Sequence, residues 1–395
     1  MRIAIVYDCF YPNTVGGAER WYRNLAERLS EGNEVIYLTR RQWDEGESPQ
    51  ASFDVRAVSP GGALYTSSGR RRIWPPIRFG IAVFVHLLRH AHRYDIVHSA
   101  SFPYFSLIGA WLALRLRRGA QLVVDWHELW TRNYWQSYLG PLGGRLGYAV
   151  QRLCVRMPAY SFTFSRLHAA RLAEQGHRAP VVRLTGEYAS GVGRPASRQG
   201  DASGPEVDGS LVVFAGRHIP EKGVAAVPDA IALARQRIPT VHCVVFGDGP
   251  EREKVDARVR SLGLDQTVEL AGRRPAEEVH RVMERAACLL LPSRREGYGL
   301  VVVEAAARGT PTVVVRGPDN AATELIDEGV NGVVADSADP PVLADAVAEV
   351  IERGQELRHS TLDWYRAHAD ELSIESSLLA VEDAYRQLAV GDRAT

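Results

Sequence analysis

Short apolar runs alternate along this chain with longer amphipathic stretches of helical period, and the alternation occurs in two series. This order is typical of βαβ units, in which parallel strands are joined by helices that cover the sheet. The first series begins with the strand RIAIVYD at 2–8 and a helix over 17–30, and the second begins with LVVFAG at 211–216. We therefore predict an α/β protein with two parallel sheets, each of the kind that binds nucleotides.

The length of the chain supports a division into two domains. Its 395 residues exceed what one hydrophobic core usually serves. Residues 191–209 are rich in Gly, Pro, Ser and Asp, which is the composition of a linker. We predict a first domain over 1–190 and a second over 210–371, followed by a helix over about 372–390 that packs back onto the first domain. The remaining strands of the first domain are predicted near 34–39, 96–99, 122–125, 159–164 and 181–184.

The charge of the chain is balanced overall but not along its length. Residues 1–190 hold 24 Arg, no Lys and 14 acidic residues, whereas residues 191–395 hold 23 basic and 33 acidic residues. The first half is therefore basic, which suits an anionic or polar-headed ligand, and compositional drift is the alternative. Lys222 and Lys254 are the only two lysines in the sequence, which draws attention to their surroundings.

Cysteine usage and hydropathy bear on the compartment. The four cysteines show no CxxC spacing, so neither a disulfide framework nor a zinc site is indicated. The N-terminal apolar run is too short for a signal peptide, and the longest apolar stretch, 79–88, is far shorter than the ~20 residues of a membrane span. We expect a cytoplasmic protein that needs no metal and binds no nucleic acid.

The loop after the first strand of the first series is VGGAER, at 15–20. Gly16 and Gly17 would admit a phosphate close to the backbone, and the helix that follows offers its positive N-terminal end. A plain tight turn is the alternative. The full GxGxxG fingerprint of a dinucleotide site is missing, which disfavours an oxidoreductase.

Two motifs of the second series carry charged residues at strand ends. GRHIPEKG, at 216–223, sets Arg217 and Lys222 five residues apart across a turn, a combination that suits a pyrophosphate, although a solvated turn is the alternative. In PSRREGYGLVVVEAAARGTP, at 292–311, Glu296 and Glu304 are separated by seven residues. Carboxylates near the ligand edge of a sheet can accept hydrogen bonds from sugar hydroxyls, whereas Glu304 could also simply favour a helix N-terminus.

Taken in order, these motifs resemble the donor-binding half of a retaining glycosyltransferase of family four, with the GT-B fold. The resemblance runs from GRHIPEKG through FGDGPEREKV and AGRRPAEEV to EGVNGVVAD, and the first half agrees more loosely through VGGAER and VVDWHELW, at 123–130. It implies two Rossmann-like domains that face each other across a cleft. It also implies transfer of a hexose-type sugar from a nucleotide diphosphate sugar, UDP- or GDP-linked, to an acceptor hydroxyl or amine, with no cofactor besides the donor.

The resemblance also assigns roles to individual residues. Lys222 and Arg217 would hold the donor diphosphate, Glu304 the ribose, and Glu296 the donor sugar near the reacting carbon. His127 would face the donor sugar, and Gly16 and Gly17 would contact its phosphate from the first domain. The other implied donor contacts are Arg273 at the nucleobase and the backbone of Gly297, Tyr298, Gly299 and Leu300. The chain departs from the family pattern at Asp319 and Asn320, which leaves the sugar open.

The acceptor is less constrained by the sequence. Residues 67–93 combine six arginines with Trp74 and apolar residues, which suggests an anionic or lipid-linked acceptor, or peripheral contact with the inner face of a membrane. The alternative is a helix buried by its apolar face with solvated arginines. Two other activities also remain open: a nucleotide-sugar epimerase of similar build, and a nucleotide-sugar-binding protein without catalysis.

Overall fold

The computed structural model describes residues 1–14, 16–44, 46–47, 49–63, 72–117, 119–187 and 206–391. Most of the predicted linker, and Val15 of the glycine loop, lie outside the described residues. The described chain forms two compact units, one from residues within 1–187 and 375–391 and the other from residues within 206–374. The predicted linker extends too far at its C-terminal end, because residues 208 and 209 already belong to the first strand of the second unit.

The first unit is built on a parallel sheet of seven strands. The strands are β1 (Arg2–Val6), β2 (Glu34–Arg40), β3 (Asp54–Ser59), β4 (Ile96–Ala100), β5 (Gln121–Trp126), β6 (Tyr160–Thr163) and β7 (Val181–Arg183), in the spatial order β3-β2-β1-β4-β5-β6-β7. Strand β3 was not predicted from the sequence. Arg56 is exposed on this edge strand, which therefore lacks the continuous apolar run of a central strand.

Helices cover both faces of this sheet. They are α1 (Gly17–Ser30), α2 (Trp74–His90), α3 (Tyr104–Leu116), α4 (Arg132–Val155) and α5 (Arg166–Glu174). The strand order runs in one direction from β1 to β3 and in the other from β1 through β4 to β7. Because parallel crossovers are right-handed, α2, α3 and α4 lie on one face and α1 on the opposite face. In agreement, buried residues of α2, α3 and α4 share one core cluster with Trp126 and Trp130.

The second unit has a parallel sheet of six strands and a small two-stranded sheet. Its strands are β8 (Asp208–Ala215), β9 (His242–Phe246), β10 (Val268–Gly272), β11 (Ala286–Leu291), β12 (Arg295–Glu296), β13 (Thr312–Val315), β14 (Asp319–Asn320) and β15 (Gly332–Ala335). The large sheet has the order β10-β9-β8-β11-β13-β15, and β12 pairs with β14. Its helices are α6 (Val227–Arg237), α7 (Arg252–Ser261), α8 (Ala276–Arg285), α9 (Leu300–Ala306) and α10 (Pro340–Leu372).

The last helix, α11 (Ile374–Gly391), belongs to the first unit from Glu375 onward. Ser377 Oγ accepts a hydrogen bond from the Gly186 backbone N–H at 3.0 Å, and the Arg28 guanidinium lies 3.3 Å from the Glu382 carboxylate. Deeper in the unit, the Tyr385 hydroxyl is 2.6 Å from His98 Nδ1. These contacts hold the end of the chain against α1, β4 and the segment that follows β7.

Candidate active site

The second unit brings two of its predicted site residues into direct contact. Lys222 ends a single 3₁₀ turn that follows β8, and Glu296 ends β12. The Lys222 Nζ lies 2.6 Å from Glu296 Oε1 and 2.7 Å from Oε2. The two motifs, 74 residues apart in the sequence, therefore form one charged pair beside the carboxyl ends of β8 and β11, where ligands of open parallel sheets bind.

A glycine allows these two loops to meet. Gly223 has φ of +65°, in the left-handed region, and a Cβ at this position would lie 2.2 Å from the carbonyl oxygen of Pro292. The Arg294 backbone N–H also donates to the Glu221 carbonyl oxygen at 2.9 Å. The loop that carries Lys222 is thus fixed against the segment that leads to Glu296, and a larger residue at position 223 would force them apart.

The Lys222–Glu296 pair is largely shielded from water but not closed. The Lys222 side chain is 20% exposed and that of Glu296 is 9% exposed. An ammonium group has three N–H donors, so Lys222 can bind another anion while it contacts Glu296. The arrangement joins a cation that can hold a phosphate to a carboxylate that can accept a hydroxyl hydrogen bond.

Glu304 lies in the second turn of α9, in a position that the left-handed Gly299 makes possible. Gly299 has φ of +106° at the N-cap of α9, and a Cβ there would come within 2.7 Å of Ala322 Cβ. The adjacent Tyr298 is buried. Glu304 Oε1 lies 3.6 Å from His280 Nε2 of α8. His280 was not predicted from the sequence, because its position in a helical pattern gives no sign that it faces another helix.

Two other predicted donor residues of this unit also lie beyond strand ends. Arg217 is exposed two residues beyond the end of β8 and five residues before Lys222. Arg273 is exposed directly after β10, which is the edge strand and lies two positions from β8 in the sheet. Both follow carboxyl ends of parallel strands, so they share the ligand edge with Lys222 and Glu296.

Asn320, one of the two departures from the family pattern, has a structural position. It is buried, and its Nδ2 donates to the carbonyl oxygens of Ser293 at 3.0 Å and Val315 at 2.8 Å. Its Oδ1 accepts the Ala322 N–H at 3.1 Å. Because Asn320 is also the register partner of Glu296 in the β12–β14 pair, it supports the backbone that carries Glu296.

In the first unit, His127 lies just beyond β5 in an aromatic setting. Its ring stacks on Phe164 with the centroids 4.4 Å apart, and Tyr22 meets it edge-on at 5.6 Å. Nδ1 is 3.7 Å from Glu187 Oε1. Nε2 is buried and has no hydrogen-bond partner within the described residues. A buried imidazole nitrogen of this kind is a candidate for contact with a bound ligand.

Glu187 also lies near the predicted phosphate loop. A Cβ on Gly17 would be 3.9 Å from the Glu187 carboxylate, so the glycine loop, His127 and Glu187 converge at one place in this unit. Gly16, the N-cap of α1, has no side chain that could bond to the first N–H groups of that helix. Glu187 was not predicted from the sequence, although its place beyond the carboxyl end of β7 is a signal that could have identified it.

The charge state of His127 follows from these neighbours. Burial disfavours the imidazolium, but the carboxylates of Glu187, Asp125 and Glu128 outweigh it and raise the pKa of His127 above its ordinary value. The contribution of the His127–Glu187 pair to stability is therefore fully present below the unfolded-state pKa. It is lost as the pH rises through the higher folded-state pKa.

Glu187→Gln is expected to lower the pKa of His127, because it removes the nearest negative charge. The measurement is an NMR titration of the His127 ring in wild type and variant. Glu174→Gln, on the exposed side of α5, is the matched control and should leave the titration unchanged. An unaltered His127 titration in Glu187→Gln would show that the carboxylate does not set its charge.

The first unit contains a buried polar network that begins at Asp125, two residues before His127 in the sequence. Asp125 and His98 are fully buried, and His98 Nε2 lies 2.6 Å from Asp125 Oδ1. The other Asp125 oxygen accepts the Trp21 indole N–H at 2.7 Å. Burial alone would raise the pKa of Asp125, but the adjacent His98, with His127 and Trp21, brings it below the ordinary value. Through His98 the network reaches Tyr385 of α11.

Family models match both parts of the chain. The model described as "Glycosyl transferase 4-like domain" matches residues 16–186, and the model described as "Glycosyl transferases group 1" matches residues 198–362. The chain belongs to the group 1 glycosyltransferases. The resemblance drawn from the sequence motifs is thereby confirmed, and the GT-B type of fold is confirmed by the solved structures described below.

Individual relatives agree with this membership. The D-inositol 3-phosphate glycosyltransferase of Corynebacterium urealyticum is 27% identical over 418 residues, covering 98% of this chain and 96% of the relative. A second relative, the GDP-mannose-dependent alpha-(1-6)-phosphatidylinositol monomannoside mannosyltransferase of Mycolicibacterium smegmatis, is 28% identical over 249 residues. That match covers 54% of this glycosyltransferase and 64% of the relative.

Solved structures share the fold at low sequence identity. Sucrose-phosphate synthase from Thermosynechococcus elongatus superposes with a TM-score of 0.80 at 19% identity, covering 99% of each chain. Anabaena HepE, solved in complex with UDP-glucose, gives a TM-score of 0.71 at 19% identity, covering 98% of this glycosyltransferase and all of HepE. At these identities the likeness concerns the fold.

Proposed function

We propose that this glycosyltransferase moves a hexose-type sugar from a UDP- or GDP-sugar to a hydroxyl or amine of an acceptor, with retention of the anomeric configuration. The observation that supports this most directly is the contact between Lys222 and Glu296 at the ligand edge of the second sheet. It pairs a phosphate-binding cation with a sugar-binding carboxylate. One relative is named for GDP-mannose, and one solved structure of the same fold holds UDP-glucose. Both are consistent with this class of donor.

Sugar transfer from such a donor requires stabilisation of the diphosphate as it leaves a carbon that has oxocarbenium character. Lys222 and Arg217 supply positive charge for that diphosphate, and the N-terminus of α1 behind Gly16 and Gly17 favours negative charge. We propose that these groups carry out the task without a bound metal. Glu296 orients the sugar, and the buried Nε2 of His127 forms a hydrogen bond with a sugar hydroxyl.

The acceptor is proposed to be anionic or lipid-linked, so the product would be a glycan, a glycolipid or a glycoside. The excess of arginine in the first half of the chain supports this choice. So do the names of two relatives, which specify an inositol phosphate and a phosphatidylinositol mannoside. We place the enzyme in the cytoplasm, at the inner face of the membrane.

The donor is tested by thermal shift against a panel of UDP- and GDP-sugars, followed by transfer assays with the donors that stabilise the protein. Glu304→Ala should raise the donor KM and weaken the thermal shift, because the proposed ribose contact is lost, whereas the exposed Glu349→Ala should not. NMR of the product should show the anomeric configuration of the donor. An inverted product would contradict retention, and conversion of the donor without an acceptor would identify an epimerase instead.

A further inference from the structure

The positive charge of the first half of the chain is concentrated in one region. Residues 55–173 contain sixteen arginines and only three acidic residues, Asp95, Asp125 and Glu128. Asp95 pairs with Arg2, Asp125 is buried against His98, and the Glu128 carboxylate accepts the Trp130 indole N–H. Little negative charge therefore offsets the arginines of this region.

The helices α2, α3 and α4 contain no acidic residue, whereas every other α-helix of the described chain contains at least one. Their six arginines are all exposed: Arg78, Arg89, Arg115, Arg132, Arg145 and Arg152. Because the three helices cover the same face of the sheet, their outward sides form one surface, which we call the α2–α4 face.

Exposed apolar side chains are concentrated on the same face. Of the fourteen large apolar side chains that are exposed in the described part of the chain, ten lie between Ile73 and Leu153. Trp74 is 73% exposed and Leu142 is 79% exposed. The ten are Ile73, Trp74 and Ile81 at α2, Phe105, Leu112 and Leu116 on α3, and Leu139, Leu142, Leu146 and Leu153 on α4.

The pattern on α2 shows how arginine and apolar residues are combined. Trp74, Arg78, Ile81 and Arg89 follow one another at helical spacing on the side opposite the buried Phe79, Val83 and Leu87. The outward stripe therefore alternates apolar side chains with cations. A helix of this composition suits the boundary between the headgroups and acyl chains of a bilayer, with its axis in the plane.

A groove of about 800 Å³ between α2 and the edge strand β3 extends the cationic surface. Arg56, Arg78, Arg89, His86 and His90 line it together with apolar residues. Arg56 is paired with Asp54, which reduces the contribution of Arg56 to the positive charge of the groove. Burial, followed by the positive charge of His90, Arg56 and Arg93, lowers the pKa of His86 to about 4. The groove is thus an electropositive site at the border of the α2–α4 face.

We infer that the α2–α4 face docks this glycosyltransferase on a bilayer that contains anionic phospholipid. The arginines attract the lipid phosphates, and the apolar residues enter the headgroup region. This goes beyond the stretch 67–93 indicated by the sequence, because α3 and α4 supply seven of the ten exposed apolar residues. The inference does not depend on the proposed sugar transfer, since docking needs neither donor nor acceptor.

The experiment is co-sedimentation of the full chain with vesicles of phosphatidylcholine alone or mixed in equal parts with phosphatidylglycerol, without donor or acceptor. Binding is expected only to the mixed vesicles. It should weaken as salt is raised from about 0.1 M to about 1 M, since the Debye length then shrinks from about 10 Å to about 3 Å. Failure to bind the mixed vesicles at low salt would overturn the inference.

Two sets of variants locate the surface. Trp74→Ser with Leu142→Ser and Leu146→Ser, and separately Arg78→Gln with Arg89→Gln, are each expected to weaken binding at least about tenfold. The matched controls are Val330→Ser with Leu379→Ser, and Arg235→Gln with Arg281→Gln, all exposed elsewhere in the chain. These should bind as wild type does. Equal losses in the controls would contradict the assignment.

A second copy of the chain is the competing occupant of the face. Sedimentation velocity of the wild type in the absence of lipid separates the two. A monomer that binds mixed vesicles supports the inference. A dimer that the Trp74, Leu142 and Leu146 substitutions dissociate, together with no vesicle binding, would overturn it and assign the face to self-association.

Discussion

Lys222→Ala is expected to lower kcat for sugar transfer by at least about 100-fold, the scale of loss when a charge-stabilising donor is removed from an active site. The Lys222 Nζ lies within 2.7 Å of both Glu296 oxygens, and its proposed role is to bind the leaving diphosphate. The variant also leaves the largely buried Glu296 without this partner. Steady-state kinetics with a saturating donor measures the effect.

The chain contains its own control for this substitution. Lys254, the only other lysine, lies on α7 with its side chain 70% exposed, 3.5 Å from Glu251. Lys254→Ala should leave kcat unchanged, because an exposed pair of this kind contributes little. Donor binding to Lys222→Ala, followed by thermal shift, shows whether the site still forms. Near-normal turnover by Lys222→Ala would contradict a role for Lys222 in sugar transfer.

The candidate site of the second unit could be predicted from the sequence because its residues lie in motifs at strand ends. GRHIPEKG and the E-x7-E segment follow β8 and β11, which are neighbours in the sheet, so their meeting follows from the rule for parallel sheets. The direct contact of Lys222 with Glu296 did not follow. It depends on the left-handed turn at Gly223 and its approach to Pro292, which no pattern in the sequence encodes.

The residues missed by the sequence analysis share a physical reason. Glu187 and His280 each contact a partner that is distant in the sequence. Neither lies in a motif, and only the place of Glu187 beyond the end of β7 was a signal for it. The edge strand β3 was missed because it is only half buried. The fold was predictable from the repeated alternation of strand and helix, whereas side-chain pairs between distant segments required the three-dimensional packing.

The excess of positive charge in residues 1–190 is concentrated in the part of the chain that includes the α2–α4 face. Without residues 55–173, the remainder of residues 1–190 holds eight arginines and eleven acidic residues, so the basic character belongs to one side of the first unit. A ligand bound at the glycine loop would not need this surface. An acceptor held in a membrane would, since the same arginines could bring the enzyme to it.

Asp125→Ala is expected to cost about 3 to 5 kcal/mol of the free energy of unfolding of the first unit, the range for removal of one partner from a buried pair. Both Asp125 and His98 are fully buried, and the substitution leaves the His98 ring and the Trp21 indole N–H without their acceptor. Denaturant unfolding followed by tryptophan fluorescence measures this, because seven of the eight tryptophans lie in the first unit. Asp345→Ala, exposed on α10, is the matched control.

The pH dependence of the free energy of unfolding distinguishes the effect of the Asp125 charge from a loss of packing. Because the pKa of Asp125 is lower in the folded protein than its ordinary value, the stabilisation by its ionised carboxylate is fully present above the unfolded-state pKa. It is lost as the pH falls through the folded-state pKa. Asp125→Asn keeps the size of the side chain but not its charge. The stability difference between wild type and Asp125→Asn should therefore shrink on acidification, and a difference that stays constant to low pH would show that the charge of Asp125 does not stabilise the first unit.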